Sequence, residues 1–174
     1  MQLISKKTKN LTKQQKLSIC KLKNTYWHWT LKNQYQWFKE NVRAADINNI
    51  LKVKNKIVGY TLLRKRKAYH KKKILRYLYF DTTIIKKSLR NKGYGEVLMH
   101  YNNKIINRQR IHSFLTCPKK LTSFYSKYEW KILSKNKFKI LDHNPIWFKK
   151  AVRLNGMVFK LDKKFKSKIN YYLN

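Results

Sequence analysis

Acidic residues are scarce in this chain. Seven Asp and Glu stand against 43 Lys and Arg in 174 residues, for a formal net charge of +36. Glu40, Asp46, Asp81, Glu96, Glu129, Asp142 and Asp162 are the whole set, so any carboxylate that takes a proton in a reaction is one of them. Cysteine is nearly absent too. Cys20 and Cys117 stand far apart with no ligand-like spacing, which excludes a disulfide framework and points to a reducing compartment. His, Cys and acidic residues nowhere gather at the spacing of a metal site, so no metal is expected. No run approaches the roughly 20 apolar residues of a membrane span. The start, Met1-Gln2-Leu3-Ile4-Ser5-Lys6-Lys7, lacks the apolar stretch of a signal peptide. A cytoplasmic protein is the expectation. With two prolines, four glycines, no repeat and no linker, residues 1–174 read as one domain.

What is present is apolar and aromatic material in quantity, 43% and 14% of the residues, more than a disordered basic tail carries. The basic residues are spread over the whole chain. They suit contact with a polyanion such as nucleic acid, acidic protein or anionic lipid, although their even spread favours solvated lysines from a compositional bias.

Apolar periodicity gives a coarse order of elements. Residues 2–8 read as a short strand. Leu11 to Trp29 reads as a helix capped by Thr12, and Leu31 to Val42 as a second helix. Its surroundings are rich in aromatics (Trp29, Tyr35, Trp37, Phe38), which pack a core or line a groove. Ile47–Val53 and Ile57–Leu63 form a hairpin across Lys54-Asn55-Lys56. A turn at Lys71-Lys72-Lys73 leads to a long strand over Ile74–Ile85. A helix over Leu98–Ile106, a strand over His112–Cys117, a helix over Leu121–Tyr128 and strands over Lys131–Leu141 and Met157–Leu161 follow. This order implies an α/β (α+β) domain with a mixed, largely antiparallel sheet.

Two of the four glycines, Gly93 and Gly95, sit one residue apart where the long strand gives way to a helix. Glycine lets a ligand approach the main chain closely. Successive N–H groups at a helix N-terminus, with the positive end of its dipole, attract a phosphate. Arg90 and Lys92 add formal charge at the same spot.

The run Arg90-Asn91-Lys92-Gly93-Tyr94-Gly95 resembles the R/Q-x-x-G-x-G/A signature of the GCN5-related N-acetyltransferase (GNAT) superfamily, with every fixed position met. About 30 residues on, Leu121-Thr122-Ser123-Phe124-Tyr125-Ser126-Lys127-Tyr128-Glu129-Trp130 resembles the family's second motif, an aromatic pair followed by a turn and an aromatic residue. The resemblance implies a GNAT-like twisted sheet of about 6–7 strands with about four helices, splayed at the cofactor-binding strand. It implies acetyl-CoA as acyl donor and a primary amine as acceptor, joined by direct attack in a ternary complex. Backbone groups near Ile84 and Ile85 would bind the pantetheine arm. The N–H groups from Arg90 through Asn91, Lys92, Gly93 and Tyr94 to Gly95 would hold the pyrophosphate. Tyr125 would act as general acid towards the leaving thiolate, with Tyr128 as a neighbouring alternative. Two positions depart from the family. Pro118 stands where an Asn often precedes the tyrosine, and Glu129 stands where Gly is preferred, making a left-handed turn less comfortable.

For the amine's proton, Asp81 shares strand parity with Ile85 and is expected on the same sheet face. There it binds the ammonium or accepts its proton; the alternative is a hydrogen bond to Thr82 or the backbone. His112 is a second candidate base, and His100 lies on the helix after the loop, facing core or solvent. The acceptor stays open. The second motif, preceded by Cys117-Pro118 and closed by a Trp, resembles members that acetylate aminoglycosides and small polyamines. A +36 chain repels such cations, however, and suits a protein N-terminus, a tRNA-linked amine or a phosphorylated amino sugar better. Two other readings are a basic nucleic-acid- or ribosome-binding module and a superfamily member that binds CoA without catalysis.

Overall fold

The computed structural model describes residues 1–141, 154–162 and 167–173. Asp142 lies outside them. The chain groups into two compact units: Met1–Arg64 with Asp81–Ile105, and Lys65–Phe80 with Ile106–Asn174. Among the described residues there are four α-helices and nine strands in a mixed, largely antiparallel sheet, more strands than the sequence suggests. No helix of these residues is long and apolar enough to cross a membrane.

The first unit opens with β1 (Gln2–Lys7) and α1 (Lys13–Trp27). Thr12 caps α1: its hydroxyl accepts the Gln15 N–H, and the Gln15 side chain accepts the Thr12 N–H, each at 3.1 Å. His28, in the left-handed conformation at φ 41, ends it. The second helix, α2 (Leu31–Asn41), starts behind Thr30, whose hydroxyl accepts the Asn33 N–H. Next come β2 (Ile47–Val53) and β3 (Lys56–His70), antiparallel and joined by Lys54-Asn55. Both turn residues have positive φ (46 and 59), as a two-residue primed turn requires. The end of β4 (Lys73–Ile85) and most of α3 (Tyr94–Gln109) complete the unit.

Two apolar clusters serve its sheet. Ile19, Cys20 and Leu22 of α1 and Phe38 of α2 pack with Ile50, Tyr60, Leu62 and Ile84. Leu98 of α3 packs with Leu51, Val58 and Ile85. Burying a leucine such as Leu98 contributes about 2 kcal/mol. A polar clasp adds to this: the Asn102 carbonyl accepts from Asn49 at 3.0 Å and from the Thr61 hydroxyl at 2.9 Å, tying α3 to β2 and β3.

The second unit holds the rest of β3 and β4, then β5 (Ser113–Cys117), α4 (Thr122–Ser126), β6 (Lys131–Leu133), β7 (Phe138–Leu141), β8 (Asn155–Phe159) and β9 (Ile169–Tyr172). β4 pairs with β5 in parallel at Leu78↔Ser113 and Tyr79↔Phe114. β8 lies antiparallel between β5 and β6, while β9 joins β3 on one side and β7 on the other. Stacked rings of Phe114 and Tyr171, 4.0 Å apart, sit in its core. Gly156 makes room for Phe138 and Phe114; a Cβ there would fall 2.7 Å and 2.9 Å from their rings.

Four elements differ from the sequence reading. β3 runs to His70 instead of ending at Leu63, because alternate residues Arg64, Arg66 and Ala68 are buried within the strand. The expected strand over Lys131–Leu141 is divided at Ser134 by a turn over Lys135–Lys137. The helix around Tyr125 is shorter than expected, and α3 is longer.

Candidate active site

At the end of β4 the chain is pinned before it turns. The Lys86 N–H donates to Val58 O at 2.8 Å, and the Arg90 Nε–H donates to Ile85 O at 3.2 Å. The Arg90 guanidinium also lies over the Tyr26 ring, 5.7 Å from its centroid. Asn91 (φ 59) and Gly93 (φ 74) then take left-handed conformations, and α3 begins at Tyr94. Its first backbone bond runs from the Val97 N–H to Gly93 O, so the N–H groups just before it point out of the helix end.

The space around these groups fits a phosphate-bearing ligand. A Cβ built on Gly93 or Gly95 meets nothing within 4 Å. The loop is therefore open on the side where its glycines sit. Arg90 behaves differently from its neighbours: its N–H bonds to Lys87 O at 3.3 Å and its side chain to Ile85 O. It shapes the loop, and the main-chain donors that remain for a ligand run from Asn91 to Gly95. The Ile85 carbonyl is likewise occupied by Arg90.

β4 does not keep a regular alternation here. Asp81 Oδ2 accepts from Arg64 Nη1 at 2.8 Å, and the Arg64 guanidinium lies 5.9 Å from the Trp37 ring of α2. Ile84 packs in the cluster formed by α1 and α2, whereas Ile85 packs in that of α3. Asp81 thus faces the α1 and α2 side and Ile85 the opposite side, contrary to the parity expected from sequence. The strand shifts phase between Asp81 and Ile84. Within this stretch the Thr83 hydroxyl is buried and has no hydrogen-bond partner among the described residues.

Around the Arg64–Asp81 pair the structure gathers a residue that the sequence reading missed. Lys23 of α1 is 5% exposed, with its Nζ 3.6 Å from the centre of the Trp37 ring. Burial lowers its pKa from 10.5 to about 8, against the opposing pull of Asp81 and Cys20 and with a smaller push from Arg64. Nothing in the sequence marks it among the 43 basic residues. Because the folded chain holds this proton less firmly than the unfolded chain, stability rises between pH 8 and 10.5. Lys23→Met is expected to raise stability at pH 7 by about 1–2 kcal/mol, an advantage that shrinks towards pH 10. Urea unfolding of both proteins across that range checks this. A loss of stability in the variant at pH 7 would mean that the Trp37 and Asp81 interactions outweigh burial.

In the second unit Tyr125 lies on α4 and is 9% exposed. Its ring meets Phe124 edge-on at 5.2 Å, Phe80 at 6.1 Å and Trp130 at 6.3 Å. The motif's aromatics thus hold the tyrosine by packing. Tyr128 is buried against Phe124. Glu129 adopts φ 66, so the left-handed turn forms even without glycine. Glu129→Gly should stabilise the protein by about 1 kcal/mol, read from the denaturant midpoint.

The histidines resolve plainly. His112 is buried beside Tyr77 and Tyr171, and burial lowers its pKa to about 4, so at neutral pH it is an uncharged core residue. His100 lies on the exposed side of α3, 3.7 Å from Glu96.

No protein-family model matches the chain, and no curated protein matches its sequence. Solved structures share its fold. ElaA of Escherichia coli aligns with a TM-score of 0.67 over 91% of this chain and 99% of that one, at 12% identity. The GNAT-family N-acetyltransferase YhbS of Escherichia coli, in complex with CoA, gives 0.67 over 98% and 90%, at 10% identity. An aminoglycoside 6′-N-acetyltransferase complexed with coenzyme A gives 0.64 over 90% and 96%, at 12% identity. The likeness at these identities is one of architecture: the chain has the GNAT fold.

Proposed function

We propose that the chain, acting as a single domain over residues 1–174, is an N-acetyltransferase that moves an acetyl group from acetyl-CoA to a primary amine. The observation that carries this reading is the open loop from Asn91 to Gly95 at the start of α3, with Gly93 at φ 74 and free space at both glycines. The CoA complexes of YhbS and the aminoglycoside acetyltransferase, which have the same fold, support it. The N–H groups of the loop would hold the pyrophosphate. Main-chain groups near Ile84 and Ile85, next to the unpartnered Thr83 hydroxyl, would bind the pantetheine arm.

The amine must be neutral when it attacks the thioester carbon. Asp81 is the carboxylate for that task in this reading. With Oδ2 held by Arg64, the proton would leave through Oδ1, directly or by way of water. As the N–C bond forms, the C–S bond breaks, and the sulfur takes a proton from the Tyr125 hydroxyl. The role of Tyr125 rests on its place in the second motif. The acceptor is an amine of a small molecule, an amino sugar, a protein or an RNA.

Thiol release from acetyl-CoA, measured against a panel drawn from those four groups, tests the proposal. At least one acceptor should give release above the rate with water alone. Release with none of them, by a protein that still binds acetyl-CoA, would leave a CoA-binding protein without this activity.

A further inference from the structure

Beside α1 and the β2–β3 turn, the first unit carries a groove of about 820 Å³. Leu22, Val53, Ile57 and Leu89 give it apolar walls. Five lysines line it (Lys21, Lys52, Lys54, Lys56 and Lys86), and no acidic residue among the described residues does. None of the residues from Arg90 to Gly95 borders it, and Lys86 and Leu89 of its wall lie just before that loop.

Two details give the groove direction. Lys54 occupies a turn position at φ 46, where a side-chain-bearing residue is strained by about 1–2 kcal/mol. Glycine or asparagine would relieve that strain, yet the position carries a charge at the groove's edge. At the α1 end, Tyr26 directly follows the lining residue Thr25; its side chain is 54% exposed, with Trp27 edge-on at 4.9 Å and the Arg90 guanidinium 5.7 Å from the ring centroid, which leaves the other face for a ligand. A flat, supported, exposed ring next to a row of ammonium groups suits a ligand with both repeated negative charge and planar faces.

Five ammonium groups without a carboxylate among them repel one another. A strand of evenly spaced phosphates neutralises them and sheds its own condensed cations, whereas one isolated phosphate engages only one or two of the lysines. Acidic peptides would satisfy the lysines and make no use of the Tyr26 ring. We infer that this groove binds single-stranded nucleic acid, its phosphodiester backbone running along the five lysines and a base stacking on Tyr26. The field of the +36 chain draws such a strand in, and the groove fixes where it lies.

The test uses the full chain and a fluorescein-labelled oligouridylate of about 12 nucleotides, with anisotropy read from about 50 to about 300 mM NaCl. Replacing Lys21, Lys52, Lys54, Lys56 and Lys86 with Gln should flatten the slope of log K against log salt by about 3.5, or about 0.7 for each phosphate no longer neutralised. A control of equal charge replaces the exposed Lys67, Lys71, Lys72, Lys73 and Lys139 with Gln, and its slope should stay within about 1 of wild type. Tyr26→Ala should weaken binding about 10-fold at every salt concentration and leave the slope unchanged. Thermal melts establish that all three variants fold. Equal flattening in both quintuple variants would assign the binding to overall charge and overturn the groove. If Tyr26→Ala left affinity unchanged and a poly-glutamate peptide competed equally, the ligand would be an acidic peptide. Absence of oligonucleotide binding by wild type at about 150 mM salt would also overturn the inference.

Discussion

Replacing Gly95 with Trp is expected to abolish acetyl-CoA binding while leaving the stability of the free protein within about 0.5 kcal/mol of wild type. The site explains both halves. Gly95 lies in the first turn of α3 without a positive φ, and a Cβ there meets nothing within 4 Å, so the fold itself tolerates the larger side chain. An indole in that space would occupy the room that a pyrophosphate needs beside the N–H groups of the loop. Wild type at a donor concentration of about 100 times Kd should gain about 2.7 kcal/mol, a rise of roughly 5–10 °C in Tm for a chain of this size. The variant should show no rise. Gly93→Trp is a poorer probe, because φ 74 adds backbone strain to the loss of binding. A Gly95→Trp protein that kept the full shift would move the donor site away from this loop.

The second large effect is on turnover. Tyr125→Phe removes one hydroxyl from a ring otherwise fixed by Phe80, Phe124 and Trp130, so packing and donor binding should survive. If that hydroxyl protonates the departing sulfur, kcat falls about 100-fold or more, the usual range for losing a positioned general acid. The loss should appear in kcat, with the acetyl-CoA-dependent Tm shift retained. An unchanged kcat would remove Tyr125 from the chemistry. Tyr128, buried against the same Phe124, would then be the residue to change.

Much of the fold and of the loop before α3 is legible from spacing because local chemistry dictates it. Thr12 followed three residues later by Gln15 forms the cap of α1, and Lys54-Asn55 makes the hairpin turn. Gly93 and Gly95 at a strand end mark the open loop. Illegible features depend on partners distant in sequence. Arg64 and Arg66 lie beyond the strand expected to end at Leu63, yet both are buried in β3, one paired with Asp81 and the other donating to the carbonyl of Leu173. The face of Asp81 does not follow from parity, because strict alternation fails where β4 shifts phase. Lys23 looks like one solvated lysine among many in the sequence, and only the packing of α1 near Trp37 shows it enclosed. Glu129 in a left-handed turn is a case in which tertiary packing overrides a local preference.

Calorimetric titration of acetyl-CoA into the wild-type protein tests the central claim most directly. Saturable binding of one donor per chain, abolished by Gly95→Trp, is the expected result. No heat of binding at millimolar acetyl-CoA would contradict it.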